Sequence, residues 1–138
     1  MQKKSKTPRR SSAGTQRDLD VEIGFLEGLV RRDPGYVDAL KILGDDYTSR
    51  GRVADGLRVD EKLARLNPDD PFAFYNLGCS YSLAGQFEHA AAALHKALDL
   101  GYRDFQWLSR DPDLGPFRKH PLYRRLRARV KGIATQML

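Results

Sequence analysis

Apolar residues recur along this chain at three- and four-residue spacing, the period of a helix with one buried face. Leu19, Ile23, Leu26 and Val30 form the first such stripe, and Asp18, Asp20 and Glu22 suit the positive end of a helix dipole. Asp33-Pro34-Gly35 stops this helix. Leu40, Leu43 and Tyr47 predict a second helix from about Val37 to Ser49, closed by the turn Arg50-Gly51-Arg52. A third runs through Val59, Leu63 and Leu66 and ends at Asn67-Pro68-Asp69-Asp70. Pro71 suits the first turn of a fourth helix, which carries Phe74, Leu77 and Tyr81. Beyond Ala84-Gly85-Gln86 an alanine-rich helix extends from Phe87 to Leu100, and Gly101 closes it. Nothing alternates with a period of two over a useful length, so no strand is predicted.

The pattern repeats. Gly44 and Gly78 lie 34 residues apart, and the same offset relates Leu43 to Leu77, Tyr47 to Tyr81, Gly51 to Gly85, and Pro34 to Pro68. A repeat of this length means stacked helical hairpins, because one hairpin alone cannot bury its apolar face. Leu40-x-x-Leu43-Gly44-x-x-Tyr47 and Phe74-x-x-Leu77-Gly78-x-x-Tyr81 resemble the first-helix signature of the tetratricopeptide repeat family. Ala90, Leu94 and Ala97 fit its second-helix signature, and Pro68 its closing proline. Glycine at 44 and 78 lets the two helices of a hairpin approach closely. Two departures stand in the first full repeat: Gly56 where alanine is usual, and Asp60 where a large apolar residue is usual. A small rotation of that helix lets Val59 take the apolar place.

The resemblance implies an all-α fold, a right-handed superhelix of stacked antiparallel hairpins. Residues 1–16 read as a basic, flexible tail with almost nothing to bury. Residues 17–138 read as one domain: a half repeat over 17–36, full repeats over 37–70 and 71–104, and a capping segment over 105–138. Leu108-x-x-Asp111-Pro112-Asp113-Leu114-x-x-Phe117-Arg118-x-x-Pro121-x-Tyr123-x-x-Leu126 is similar to the segment that terminates bacterial tetratricopeptide arrays. Asp111 before Pro112 suits a helix N-cap, and Pro121 suits the opening of the last helix. Leu122, Leu126, Val130, Ile133 and Met137 then provide an apolar stripe to cover the last hairpin.

Charge adds a division along the chain. Residues 1–17 carry six basic and no acidic side chains, residues 18–101 nine basic and fifteen acidic, and residues 102–138 nine basic and three acidic. An acidic middle between basic ends disfavours nucleic-acid binding over the whole body and leaves binding through the ends open. A single cysteine, Cys79, allows no internal disulfide. No apolar run reaches transmembrane length, and no apolar stretch follows the charged opening. The expectation is a cytoplasmic, bacterial protein with no membrane contact.

By the same resemblance, first helices line the concave side of the stack. Asp38, Lys41, Ile42 and Asp45 of one repeat and Phe72, Tyr75, Asn76 and Cys79 of the next take the groove-facing positions. Phe72 and Tyr75 offer an aromatic platform for a peptide, and Lys41 and Asn76 suit a carboxylate or backbone. The alternative for these residues is a solvated face, or packing beneath the basic cap. Family members that grip a C-terminal carboxylate use an asparagine where Asp45 stands, and Asp45 would repel that ligand. The rival site is basic: Arg118, Lys119, Arg124, Arg125, Arg127, Arg129 and Lys131 crowd the C-terminal segment and suit nucleic acid or an acidic partner.

Catalysis finds little footing. His89, His95 and His120 are scattered, with the first two six residues apart, a poor spacing for metal ligands on one helix face. Cys79 has no evident base beside it, and no glycine loop suited to phosphate occurs. The expectation is a non-enzyme without metal or cofactor, binding a peptide or partner protein as an adaptor or scaffold. An N-terminal half repeat without a first helix of its own leaves pairing with a second copy open.

Overall fold

The computed structural model describes residues 15–138, and every regular element among them is helical. In order these are α1 (Gln16–Arg32), α2 (Val37–Ser49), α3 (Val53–Leu66), α4 (Pro71–Leu83), α5 (Phe87–Asp99), α6 (Phe105–Arg110), α7 (Gly115–Arg118) and α8 (Tyr123–Gln136), with a 3-10 turn at Pro112–Leu114. The expected tail lies outside the described residues except at Thr15 and Gln16, where Gln16 already belongs to α1. The chain divides between Pro68 and Asp69 into two compact units.

In the unit that ends at Pro68, α1, α2 and α3 enclose a core of Ile23, Leu26, Ala39, Leu40, Leu43, Tyr47, Val59 and Leu63. The α2–α3 turn is closed by a paired hydrogen-bond motif. Arg52 N–H donates to Tyr47 O at 2.7 Å and Gly51 N–H to Thr48 O at 3.0 Å. This arrangement needs a left-handed residue just past the helix end, and Gly51 supplies it with φ of 87°. The same two bonds recur after α4, from Gln86 to Tyr81 O and from Gly85 to Ser82 O, with Gly85 at φ 74°.

The hairpins close around their glycines. A Cβ on Gly78 would stand 2.6 Å from Leu94 Cγ, so α4 and α5 touch where no larger residue fits. At the equivalent Gly44 both Val59 and Asp60 approach, Val59 Cγ1 at 3.2 Å and Asp60 Oδ1 at 3.4 Å from the Cβ position. Val59 thus occupies the place expected from the altered register, beside the buried Asp60. Gly56 has its own reason. Thr48 Oγ1 lies 2.8 Å from where its Cβ would be, and that hydroxyl donates back to Gly44 O at 3.1 Å. A larger Thr48 on α2 is accommodated by a smaller residue on α3.

The unit that begins at Asp69 packs α4 and α5 against the C-terminal segment. Its core comprises Tyr75, Cys79, Ala90, Leu94, Ala97, Leu98, Tyr102, Leu108, Leu114, Phe117 and Leu126. Within the expected stripe of α8, Leu126 is wholly buried and Leu122, Val130 and Ile133 pack half-buried on this core. Met137 departs from the stripe, since α8 ends at Gln136 and leaves it 59% exposed. Pro121 likewise lies in the turn before α8, which begins two residues later.

Candidate functional site

On α2, the side chains of Asp38, Lys41 and Ile42 point away from the core, and Asp45 is half-buried beside them. They alternate with Leu40, Leu43 and Tyr47, which face inward, as the helical period requires. Ile42 is 46% exposed, a large apolar side chain set between charged neighbours. The face therefore combines an apolar centre with both signs of charge.

On α4 the four expected residues separate into two pairs. Phe72 and Asn76 are half-buried, whereas Tyr75 and Cys79 have no exposed surface at all. Tyr75 and Cys79 therefore present nothing to a partner in this arrangement, and the C-terminal segment is the reason. The Tyr75 ring stacks on Tyr102 at 4.3 Å between centroids, and its hydroxyl donates to Asp111 Oδ2 at 2.7 Å. Cys79 Sγ reaches the same oxygen at 3.5 Å. Asp111 Oδ1 accepts from Asp113 N–H at 3.0 Å, so the expected N-cap is made by a side chain that also binds α4. Burial raises the Tyr75 hydroxyl far above its ordinary value, with Cys79, Tyr102 and Asp111 adding to the shift. It stays a neutral donor throughout the accessible pH range.

Further bonds tie the segment down. Phe117 N–H donates to Ser82 Oγ at 3.2 Å, and Arg118 donates to Leu108 O at 2.9 Å and Asp111 O at 2.8 Å. Phe72 sits edge-on to Tyr102 at 6.0 Å. Of the alternatives the sequence allowed for Tyr75 and Cys79, packing beneath the cap is the one observed. The signal was present in α4 itself, where Phe72, Ala73, Phe74, Tyr75, Leu77, Cys79 and Tyr81 go nearly all the way round the helix. A helix apolar on every side is buried on every side.

The basic residues also divide. Arg118 is engaged by backbone carbonyls, and Arg129 by α5, where it bonds His95 O at 3.1 Å and pairs with Asp99. Lys119, Arg124, Arg125, Arg127 and Lys131 are exposed and form no ion pair among the described residues. Arg124, Arg127 and Lys131 share the face of α8 opposite Leu126. His95, half-buried on α5 beside Arg129, has its pKa lowered from 6.5, first by burial and then by Arg129, with Arg125 adding and Asp99 opposing.

One feature of the first unit escaped the periodicity. A cleft of about 520 Å³ opens between α1 and α3 over α2, lined by Val30, Arg31, Tyr47, Arg58, Val59 and Lys62 among others. It lies on the side of α2 opposite Ile42. Two of its acids are already engaged: Glu27 accepts from the Tyr47 hydroxyl, and Asp55 pairs with Arg52 and Arg58. The Tyr47 pKa is pushed up to about 12 by burial and by Glu27, while Arg52 lies over its ring at 4.6 Å. Among the described residues no group of three His, Cys, Asp or Glu side chains is placed to hold a metal ion. No helix among them is long and apolar enough to cross a membrane.

No known protein-family profile matches the chain. It is 33% identical over 79 residues to a chloroplastic protein of Arabidopsis thaliana, covering 55% of this chain and 24% of that protein. It is 33% identical over 90 residues to the peroxisomal targeting signal receptor of Komagataella phaffii, covering 64% of this chain and 16% of the receptor. Against the Superkiller complex protein 3 of Mus musculus it is 27% identical over 70 residues, 51% of this chain and 4% of that protein. The chain spans less than a quarter of the length of each of these relatives. The latter two carry the names of a receptor and a member of a complex rather than of enzymes. Together with the all-helical repeats, these distant likenesses support tetratricopeptide-like architecture and a general role in protein interaction.

Proposed function

We propose that this chain is an adaptor or scaffold module that holds a peptide or partner protein against a first-helix surface. The observation that carries this reading is the outward face of α2, where Ile42 is exposed among Asp38, Lys41 and Asp45. An apolar anchor ringed by charges of both signs suits a partner segment that buries one apolar side chain and pairs polar groups around it. In the other unit, Phe72 and Asn76 of α4 keep accessible surface and suit the same role, while Tyr75 and Cys79 support the helix from behind. The test is capture of partners from the native lysate on the tagged chain, with and without nuclease, repeated with Ile42→Glu. A protein kept after nuclease and lost with Ile42→Glu is the expected result. Retention of every captured protein by the variant counts against the α2 face.

A second reading rests on the exposed cations of α8. Arg124, Arg127 and Lys131 form a face suited to a polyanion, nucleic acid or an acidic protein. The expected behaviour is binding that weakens steeply with salt and is lost in the triple Arg124→Glu, Arg127→Glu, Lys131→Glu variant. Binding to single-stranded and duplex DNA that is undetectable even at low salt removes nucleic acid from consideration.

A further inference from the structure

The second apolar face of α1 has no counterpart among the described residues of its own unit. Leu19, Ile23 and Leu26 are buried, and Val30 packs beside them, so the helix commits one side to the core. On the other side Val21 is 68% and Phe25 64% exposed, one turn apart. Gly24 and Gly28 flank them on that side. A Cβ on Gly24 would meet nothing within 4 Å, and one on Gly28 only the end of Arg31 at 3.8 Å. Each glycine inside a helix is less favourable than alanine, because it has more backbone freedom to lose. Nothing among the described residues of the unit explains that cost, whereas close approach of another backbone would. The preceding segment is a poor cover, since residues 1–14 contain only Met1 and Ala13 as non-proline apolar side chains.

Charge selects the occupant. Asp18, Asp20 and Glu22 outnumber Arg17 toward the N-terminal end of α1, with Asp20 already paired to Arg50, and Arg31 and Arg32 stand at its C-terminal end. A helix acidic at one end and basic at the other complements itself when two copies run antiparallel. We infer that α1 pairs with α1 of a second copy about a two-fold axis passing near Phe25. In that register Phe25 meets Phe25, Val21 faces the half-buried Leu29, and Asp18 stands opposite Arg32. Arg32 is exposed and forms no ion pair among the described residues, so it is available for this contact. The interface is isologous, and every contact occurs twice.

The surface of one helix pair is small, which places the dimer at the weak end of specific association. Sedimentation equilibrium on the full chain, over concentrations from about 1 μM to 500 μM, is expected to show a monomer–dimer equilibrium with micromolar dissociation constant. Phe25→Glu and, separately, Val21→Lys should weaken it at least thirty-fold while leaving helicity by circular dichroism unchanged, both sites being exposed. Asp18→Arg and Arg32→Asp should each weaken the homodimer several-fold through two like-charge contacts. An equimolar mixture of those two variants should recover wild-type affinity, because in the mixed dimer each of the two contacts joins charges of opposite sign. A wild-type chain that is monomeric throughout overturns the inference, as does a dimer indifferent to Phe25→Glu. Failure of the mixture to recover overturns the antiparallel register.

Discussion

Asp111 shows how one side chain fixes the C-terminal segment. Its carboxylate receives the Tyr75 hydroxyl, the Cys79 thiol and the Asp113 amide in a site closed to water. Hydrogen bonds to a charged acceptor of this kind contribute about 1.5–3 kcal/mol each. Tyr75→Phe keeps the stacking on Tyr102 and removes one donor, so it is expected to cost about 1.5–3 kcal/mol in chemical denaturation. A loss below about 0.5 kcal/mol would show that the bond is not made in solution. His95 and Asp99 set a pH dependence at the α5–α8 contact. His95 binds its proton less readily folded than unfolded, so stability is complete above its ordinary value of 6.5 and declines as pH falls below it. The Asp99 carboxyl is lowered from 3.8, chiefly by its bond to Arg129, and its contribution is lost only as pH falls through that lowered value. Melting temperature is therefore expected to fall between about pH 7 and 5, and His95→Gln to flatten that limb. Equal slopes in the two proteins would remove His95 as its source.

Among the elements, closure of the hairpins depends on single close contacts. Gly78 packs against Leu94 so closely that Gly78→Ala forces the leucine aside, at an expected cost of about 1–3 kcal/mol, and Gly78→Leu is expected to leave the α4–α5 hairpin unfolded. An unchanged melting temperature for the leucine variant would mean that the hairpin closes elsewhere. Helix positions were legible because proline, glycine and the apolar period act locally. The turns at Gly51 and Gly85 repeat the same bonds because their sequences repeat. Side-chain orientation on α4 was less legible. Its first-helix signature assigns Tyr75 and Cys79 outward, but the segment that covers them begins some thirty residues later and packs by nonlocal contact. Asp60 also reads poorly from sequence, since Val59 shares its approach to Gly44.

Over the whole chain, the all-helical repeats and the distant likenesses support a general role in protein interaction. Each unit has its own core, and each keeps a differentiated exterior: Ile42 with its charged neighbours on α2, Val21 and Phe25 on α1, and three cations on α8. The all-helical repeat fold could be read in advance from the apolar period and the 34-residue offset. The uncovered face of α1 could not, because Val21 and Phe25 look like further core positions until the helix is seen to bury its other side. Isothermal titration of the purified chain with its nuclease-resistant partner, alongside Ile42→Glu, addresses the interaction role most directly. The expected result is at least a tenfold weaker complex for the variant, with the fold retained, corresponding to about 1.4 kcal/mol or more. Equal affinity for both proteins would contradict a partner site centred on α2.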